Sequence, residues 1–141
     1  MPASELSRKL GIRPGQRVCL LDAPGETVSA IRLALPETIE LDLRLDNKAR
    51  YDIVLFWPQA LMGLAGLFTG LQRRIQPDGA IWVVMPKKKY AHPRGIDFSW
   101  EQMQAAGLAT DLVDNKIASI NDQDYGTRFV IRKHRRGDYA D

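Results

Sequence analysis

The chain is 141 residues long, which suits one domain and is too short for two sizeable ones. Its 45% hydrophobic and 26% charged residues exclude a disordered tail, a fibre and a membrane-embedded chain. Twenty basic against seventeen acidic side chains give a net charge of +3, too mild a bias to indicate nucleic acid by itself. The single cysteine, Cys19, excludes a disulfide scaffold and a cysteine-rich zinc site and fits a reducing cytoplasm. No apolar signal-peptide core is expected in the first twelve residues. The longest apolar stretch, Ala60 to Leu71, is broken by glycines and falls short of the ~20 residues that cross a bilayer. One domain over 1–134 with a short polar tail, 135–141, is expected.

Ser4 caps a short helix carrying Leu6 and Leu10, which Gly11 ends. Pro14 and Gly15 turn the chain into Arg17–Asp22, an apolar run with charged ends that reads as a strand buried on both faces. After the turn Ala23–Gly25 comes a helix with Val28, Ile31 and Leu35 on one side, stopping before Pro36. Ile39–Leu45 alternates strictly between apolar and charged residues, the pattern of a half-exposed edge strand. Ile53–Trp57 and Ala80–Met85 are continuous apolar runs and read as central parallel strands. Between them a helix is expected over Gln59–Ile75, followed by a turn at Gln76–Gly79. Ser99 and Gln102 stand at capping-box spacing before a helix that Gly107 stops. A hairpin closes the pattern, with strands Lys116–Ile120 and Thr127–Lys133. Alternating strands and helices predict a doubly wound, Rossmann-like α/β domain with a mostly parallel sheet and a C-terminal antiparallel hairpin.

Leu10–Asp22 resembles the entry to the first strand of the class I S-adenosylmethionine-dependent methyltransferase fold. Ile75–Val83 resembles its later turn and strand, and the terminal hairpin is similar to the one that closes its sheet. One helix-strand unit, expected between Leu45 and Tyr51, is missing, which leaves the Ile39 strand at the edge. Leu10–Pro24, Trp82–Lys88 and Gly107–Phe129 resemble more closely a small bacterial family, domain of unknown function 3052. That resemblance implies a methyltransferase-like fold without an established activity. The glycine-rich helix over Gln59–Ile75 departs from the more polar helix expected there.

In a doubly wound sheet, ligands sit at the carboxyl ends of the strands near the switch point. The candidate residues there are Asp22, Pro24, Gly25, Trp57, Pro58, Pro86 and Lys87. Asp114, Asn115 and Lys116, read as the turn from the last helix into the hairpin, add a carboxylate, an amide and an amine. Cofactor-binding members of the fold resemble one another in an acidic residue followed by several glycines, whereas Asp22–Glu26 holds one glycine and a proline without an N–H. That loop weighs against S-adenosylmethionine. Asp42 and Asp46, near the end of the second strand, are candidates to meet ribose hydroxyls, although acidic residues are also common at an exposed edge.

Two basic segments, Lys87–Arg94 with Tyr90 and Arg128–Arg136, offer phosphate or nucleic-acid contacts, although a solvated loop and the polar outer face of a terminal strand are the favoured readings. His92 and His134 lack a second ligand at metal spacing, so no metal site is expected. Gly63, Gly66 and Gly70 fall on one side of the expected helix and suggest a homodimer or partner contact. The leading expectation is a methyltransferase-like domain without methyltransferase activity that binds a small molecule or protein partner. The alternatives are an S-adenosylmethionine-dependent methyltransferase with a reduced cofactor loop, and a nucleic-acid-binding accessory protein.

Overall fold

The computed structural model describes residues 4–140. In chain order its elements are α1 (Glu5–Leu10), β1 (Arg17–Leu21), α2 (Gly25–Ala34), β2 (Glu40–Asp42), β3 (Tyr51–Phe56), α3 (Leu64–Gln72), β4 (Ile75–Pro86), α4 (Lys88–Ala91), α5 (Trp100–Leu108), β5 (Leu112–Ser119) and β6 (Asp124–Ile131). The six strands form one sheet in the order β2-β1-β3-β4-β6-β5. The first four run parallel, and β6 pairs antiparallel with both β4 and β5. The fold is therefore the methyltransferase-like Rossmann arrangement, with β2 at the edge where its alternating charges place it. Only the loop 43–50 stands where the missing helix-strand unit is expected.

The central strands are apolar throughout because both faces are covered. Leu55, Trp57, Trp82 and Val84 join the α1 and α2 side of the core with Leu10 and Ile31. Val54, Phe56, Ile81 and Val83 join the α3 and α5 side with Phe68, Met103 and Phe129. Helix ends follow local chemistry. Ser4 accepts from the Ser7 N–H, Gly11 closes α1 at φ 73°, and Ser99 with Gln102 forms a complete capping box on α5.

Five expectations are corrected. The helix read over Gln59–Ile75 is only Leu64–Gln72, because Gly63 at φ 77° breaks helical geometry in front of it. Gly63 therefore lies outside the helix, and the three-glycine face reduces to Gly66 and Gly70. Ile75 pairs with Tyr51, and the expected turn Gln76–Gly79 is absorbed into β4 as an irregularity before Ala80 meets Ile53. The alternating strand shrinks to Glu40–Asp42, which pairs with Arg17–Cys19 of β1 before the chain leaves the sheet. The hairpin starts earlier, at Leu112, so Asp114, Asn115 and Lys116 lie inside a strand and not in a turn. Lys133–Tyr139, mostly within the stretch expected as tail, winds into a 3-10 helix whose Tyr139 is buried. Among the described residues no helix is long and apolar enough to cross a membrane.

Candidate functional site

The chain leaves β1 toward β2 on one side and returns to β3 on the other, so the sheet's switch point lies between the carboxyl ends of β1 and β3. The Trp57 N–H donates to the Leu21 carbonyl there at 3.2 Å, pinning the two strand ends together. Asp22 follows at φ 61°, the one non-glycine residue in the left-handed region among the described residues. It supplies the backbone shape that glycine gives elsewhere. Pro24 then stands at the N-cap of α2 without a side-chain cap, and the first-turn amides of Gly25, Glu26 and Thr27 have no intrahelical acceptor. A β-carbon built on Gly25 meets no atom within 4 Å, so this glycine faces open space.

A cleft of about 960 Å³ opens at this point, lined by Pro24, Glu26 and Thr27 of α2, Gln59 beyond β3, Leu6 of α1, and the β5–β6 turn Ile120–Asp124 with Arg94. That volume is at the upper end of ordinary small-molecule sites. Its charged walls are three carboxylates, Glu26, Asp122 and Asp124, and one guanidinium. Arg94 pairs with Asp124, whose carboxylate is also held by the Asn121 amide at 3.3 Å. Subtracting that pair leaves Glu26 and Asp122, both exposed, so the opening is acidic. Trp57 is 2% exposed and its indole Nε1 has no hydrogen-bond partner, whereas the Trp82 indole donates to the Leu10 carbonyl at 3.0 Å.

Of the ten candidate residues, the strand-end group does gather at one edge. Pro24 lines the cleft, Asp22 and Gly25 are exposed beside it, and Trp57, Pro58 and Pro86 are buried behind it. Lys87 is tied down, its N–H donating to the Gln123 carbonyl at 2.6 Å and its amine to Ser119 Oγ at 3.1 Å. The other three lie elsewhere. Asp114 pairs with Phe129 and Lys116 with Arg128, well down the sheet from the Ser119–Tyr125 pair at the carboxyl edge. Asp114 accepts from the Gln104 amide of α5 at 3.2 Å, so it turns toward the opposite face from Lys116.

Asp42 and Asp46 do lie at and just beyond the end of the second strand, where the protein's own groups engage both. Asp42 is the last residue of β2, beside Cys19 in the middle of β1, and its Oδ2 accepts from the Tyr51 hydroxyl at 2.6 Å and from Arg17 at 2.9 Å. The Tyr51 bond, then Arg17, holds the Asp42 carboxyl below the usual carboxylate range. Asp46 accepts from the same arginine at 3.2 Å. Both carboxylates serve the amino end of the sheet. Cys19 beside them is buried, and burial pushes its thiol up to about 12, which makes it inert.

Glu26, Thr27, Gln59 and the β5–β6 turn were missed as site residues, and Arg94 was read only as part of a basic segment. Glu26 and Gln59 directly follow recognised strand-end segments and could have been found from that adjacency. The β5–β6 turn could not, because only the placement of β6 next to β4 brings it to this edge. Among the described residues no group of three or more His, Cys, Asp or Glu could hold a metal ion.

No protein-family model matches the sequence, and no curated protein matches it. Solved structures do. A SAM-dependent methyltransferase from Aquifex aeolicus superposes with a TM-score of 0.64 at 8% identity, covering 92% of this chain and 91% of that one. A TehB-like SAM-dependent methyltransferase from Corynebacterium glutamicum gives 0.56 at 9% identity, covering 93% and 89%. LepI in complex with SAM gives 0.55 at 13% identity, covering 90% of this chain and 39% of that one. The shared property is the fold, that of class I SAM-dependent methyltransferases.

Proposed function

We propose that the chain binds S-adenosylmethionine in the switch-point cleft and acts as a methyltransferase with a shortened cofactor loop. The observation that carries this reading is the cleft's position at the carboxyl edge of the sheet, walled by the start of α2 after β1 and by Gln59 after β3. It displaces the expectation of a partner-binding domain without activity, which rested on the scarcity of glycines after Asp22. Asp22 already adopts the left-handed backbone that a glycine would provide, and Gly25 keeps the space before the loop clear. The residues present fit the cofactor's charges. The free amides of α2 would hold its carboxylate, and Glu26 and Asp122 at the opening would hold its cationic groups. When bound, S-adenosylmethionine supplies a methyl group on a sulfonium, which leaves as a neutral thioether. The chain's own contribution is to hold and orient, with the Arg94–Asp124 pair keeping the β5–β6 turn against the cleft. The residues resembling domain of unknown function 3052 are taken as kinship within this fold.

Calorimetric titration with S-adenosylmethionine and S-adenosylhomocysteine tests the reading. Micromolar binding is expected, weakened at least tenfold by Gly25→Leu. That substitution fills open space, so its effect on stability should stay within about 0.5 kcal/mol. Absence of heat at millimolar ligand, or undiminished affinity in Gly25→Leu, would overturn it.

A further inference from the structure

The basic segments noted in the sequence are mostly consumed by the fold. Arg94 pairs with Asp124, Arg135 with Asp111, and Arg132 and Arg136 donate to backbone carbonyls. Arg128 goes elsewhere. With Arg8, Lys9, Gly11, Asn115 and Lys116 it lines a second groove, of about 270 Å³, between α1 and the β5–β6 pair.

Four cations and no carboxylate make up the charged wall of this groove. Among the described residues Lys9 alone of the four has an ion pair, a loose one of 3.7 Å to Glu5 on the same helix. Lys116 donates to the Lys9 carbonyl near the end of α1 at 3.1 Å, and its amine lies 6.0 Å from the Trp82 ring. Arg128 donates to the Asn115 side-chain oxygen at 3.3 Å. Both acceptors are uncharged.

The strand pairing makes the crowding deliberate. Lys116 and Arg128 are direct cross-strand partners, an arrangement of like charges that destabilises a sheet. They meet because Asn115 is an extra residue: Asp114 and Lys116 oppose the consecutive residues Phe129 and Arg128. Such bulges re-aim side chains. Here the bulge turns the amide and the amine toward Arg128 while Asp114 faces α5. Burial and then Arg136 weaken the hold of the Arg128 guanidinium on its proton, as expected for a half-buried cation without a counter-charge.

We propose that this groove is a binding site for a phosphate group, held by Arg8 and Arg128 with Lys9, Lys116 and the Asn115 amide. A phosphate supplies the missing negative charge and several acceptor oxygens, and guanidinium groups match its geometry. The site is separate from the cleft and does not depend on what the cleft takes. Pyrophosphate is the probe, titrated calorimetrically at low ionic strength into the full chain. Saturable binding is expected, weakened at least tenfold by Arg128→Gln and by Arg8→Gln. Arg8 is exposed, so its variant keeps the fold even if Arg128→Gln loosens the sheet. Lys88→Gln on α4, and Gly25→Leu in the cleft, should leave pyrophosphate affinity unchanged. Absence of saturable binding, affinity that survives Arg8→Gln, or an equal loss in Lys88→Gln would overturn the proposal.

Discussion

A β-carbon on residue 107 would sit 2.4 Å from Cε1 of Phe129. Gly107 lies inside the last turn of α5, and the glycine lets the helix close on a ring that is itself fixed. Phe129 is fully buried and packs on Phe68 with ring centroids 5.1 Å apart, so it cannot swing aside. Gly107→Ala should therefore destabilise the protein by about 2 kcal/mol, despite alanine's better helix propensity. Thermal denaturation checks this, and a variant as stable as the parent would contradict the packing described. The sequence offers Gly107 as a helix stop, which is a local reading. Its actual reason is a contact with a residue 22 positions later, which no local pattern carries. The scarcity of glycines after Asp22 weighs against a cofactor loop in the sequence, because residue type alone hides the left-handed backbone of Asp22.

The 3-10 helix Lys133–Tyr139 is held to the sheet through Asp111. The Tyr139 hydroxyl donates to Asp111 Oδ2 at 2.6 Å, and Arg135 pairs with Oδ1 at 3.3 Å. Burial, then this bond, pushes the Tyr139 hydroxyl up from 10.0 to about 12. A raised pKa means the contribution is complete below pH 10.0 and lost as pH climbs through about 12. Tyr139→Phe should cost about 1–2 kcal/mol at neutral pH. The gap between it and the parent should close over that alkaline range, in denaturant melts at successive pH values. A constant gap would show that the hydroxyl does not hold the segment. Elements with strong local signals were legible: the capping box, the Gly11 stop and the two-sided apolar strands. Those set by a partner were not. The start of β4 at Ile75 depends on Tyr51 lying alongside, and the start of β5 at Leu112 depends on Ile131.

At the scale of the whole molecule, the order of strands decides where chemistry can occur. The switch between β1 and β3 creates the cleft, and the antiparallel return of β6 brings Ile120–Asp124 over it. The same return runs Arg128 down the α1 face and builds the basic groove some distance from the cleft. The strand-end half of the site was visible in the sequence because strand direction follows from the alternating order of elements. The groove was not, because the bulge at Asn115 is a property of the β5–β6 pair. The most direct measurement is an amide chemical-shift titration of the isotope-labelled protein with S-adenosylhomocysteine. The account predicts saturable perturbations at residues 22–27, 57–59 and 120–124, with Arg17, Tyr51 and Leu112 at the opposite edge unmoved. Perturbations confined to that opposite edge, or none at millimolar ligand, would contradict it.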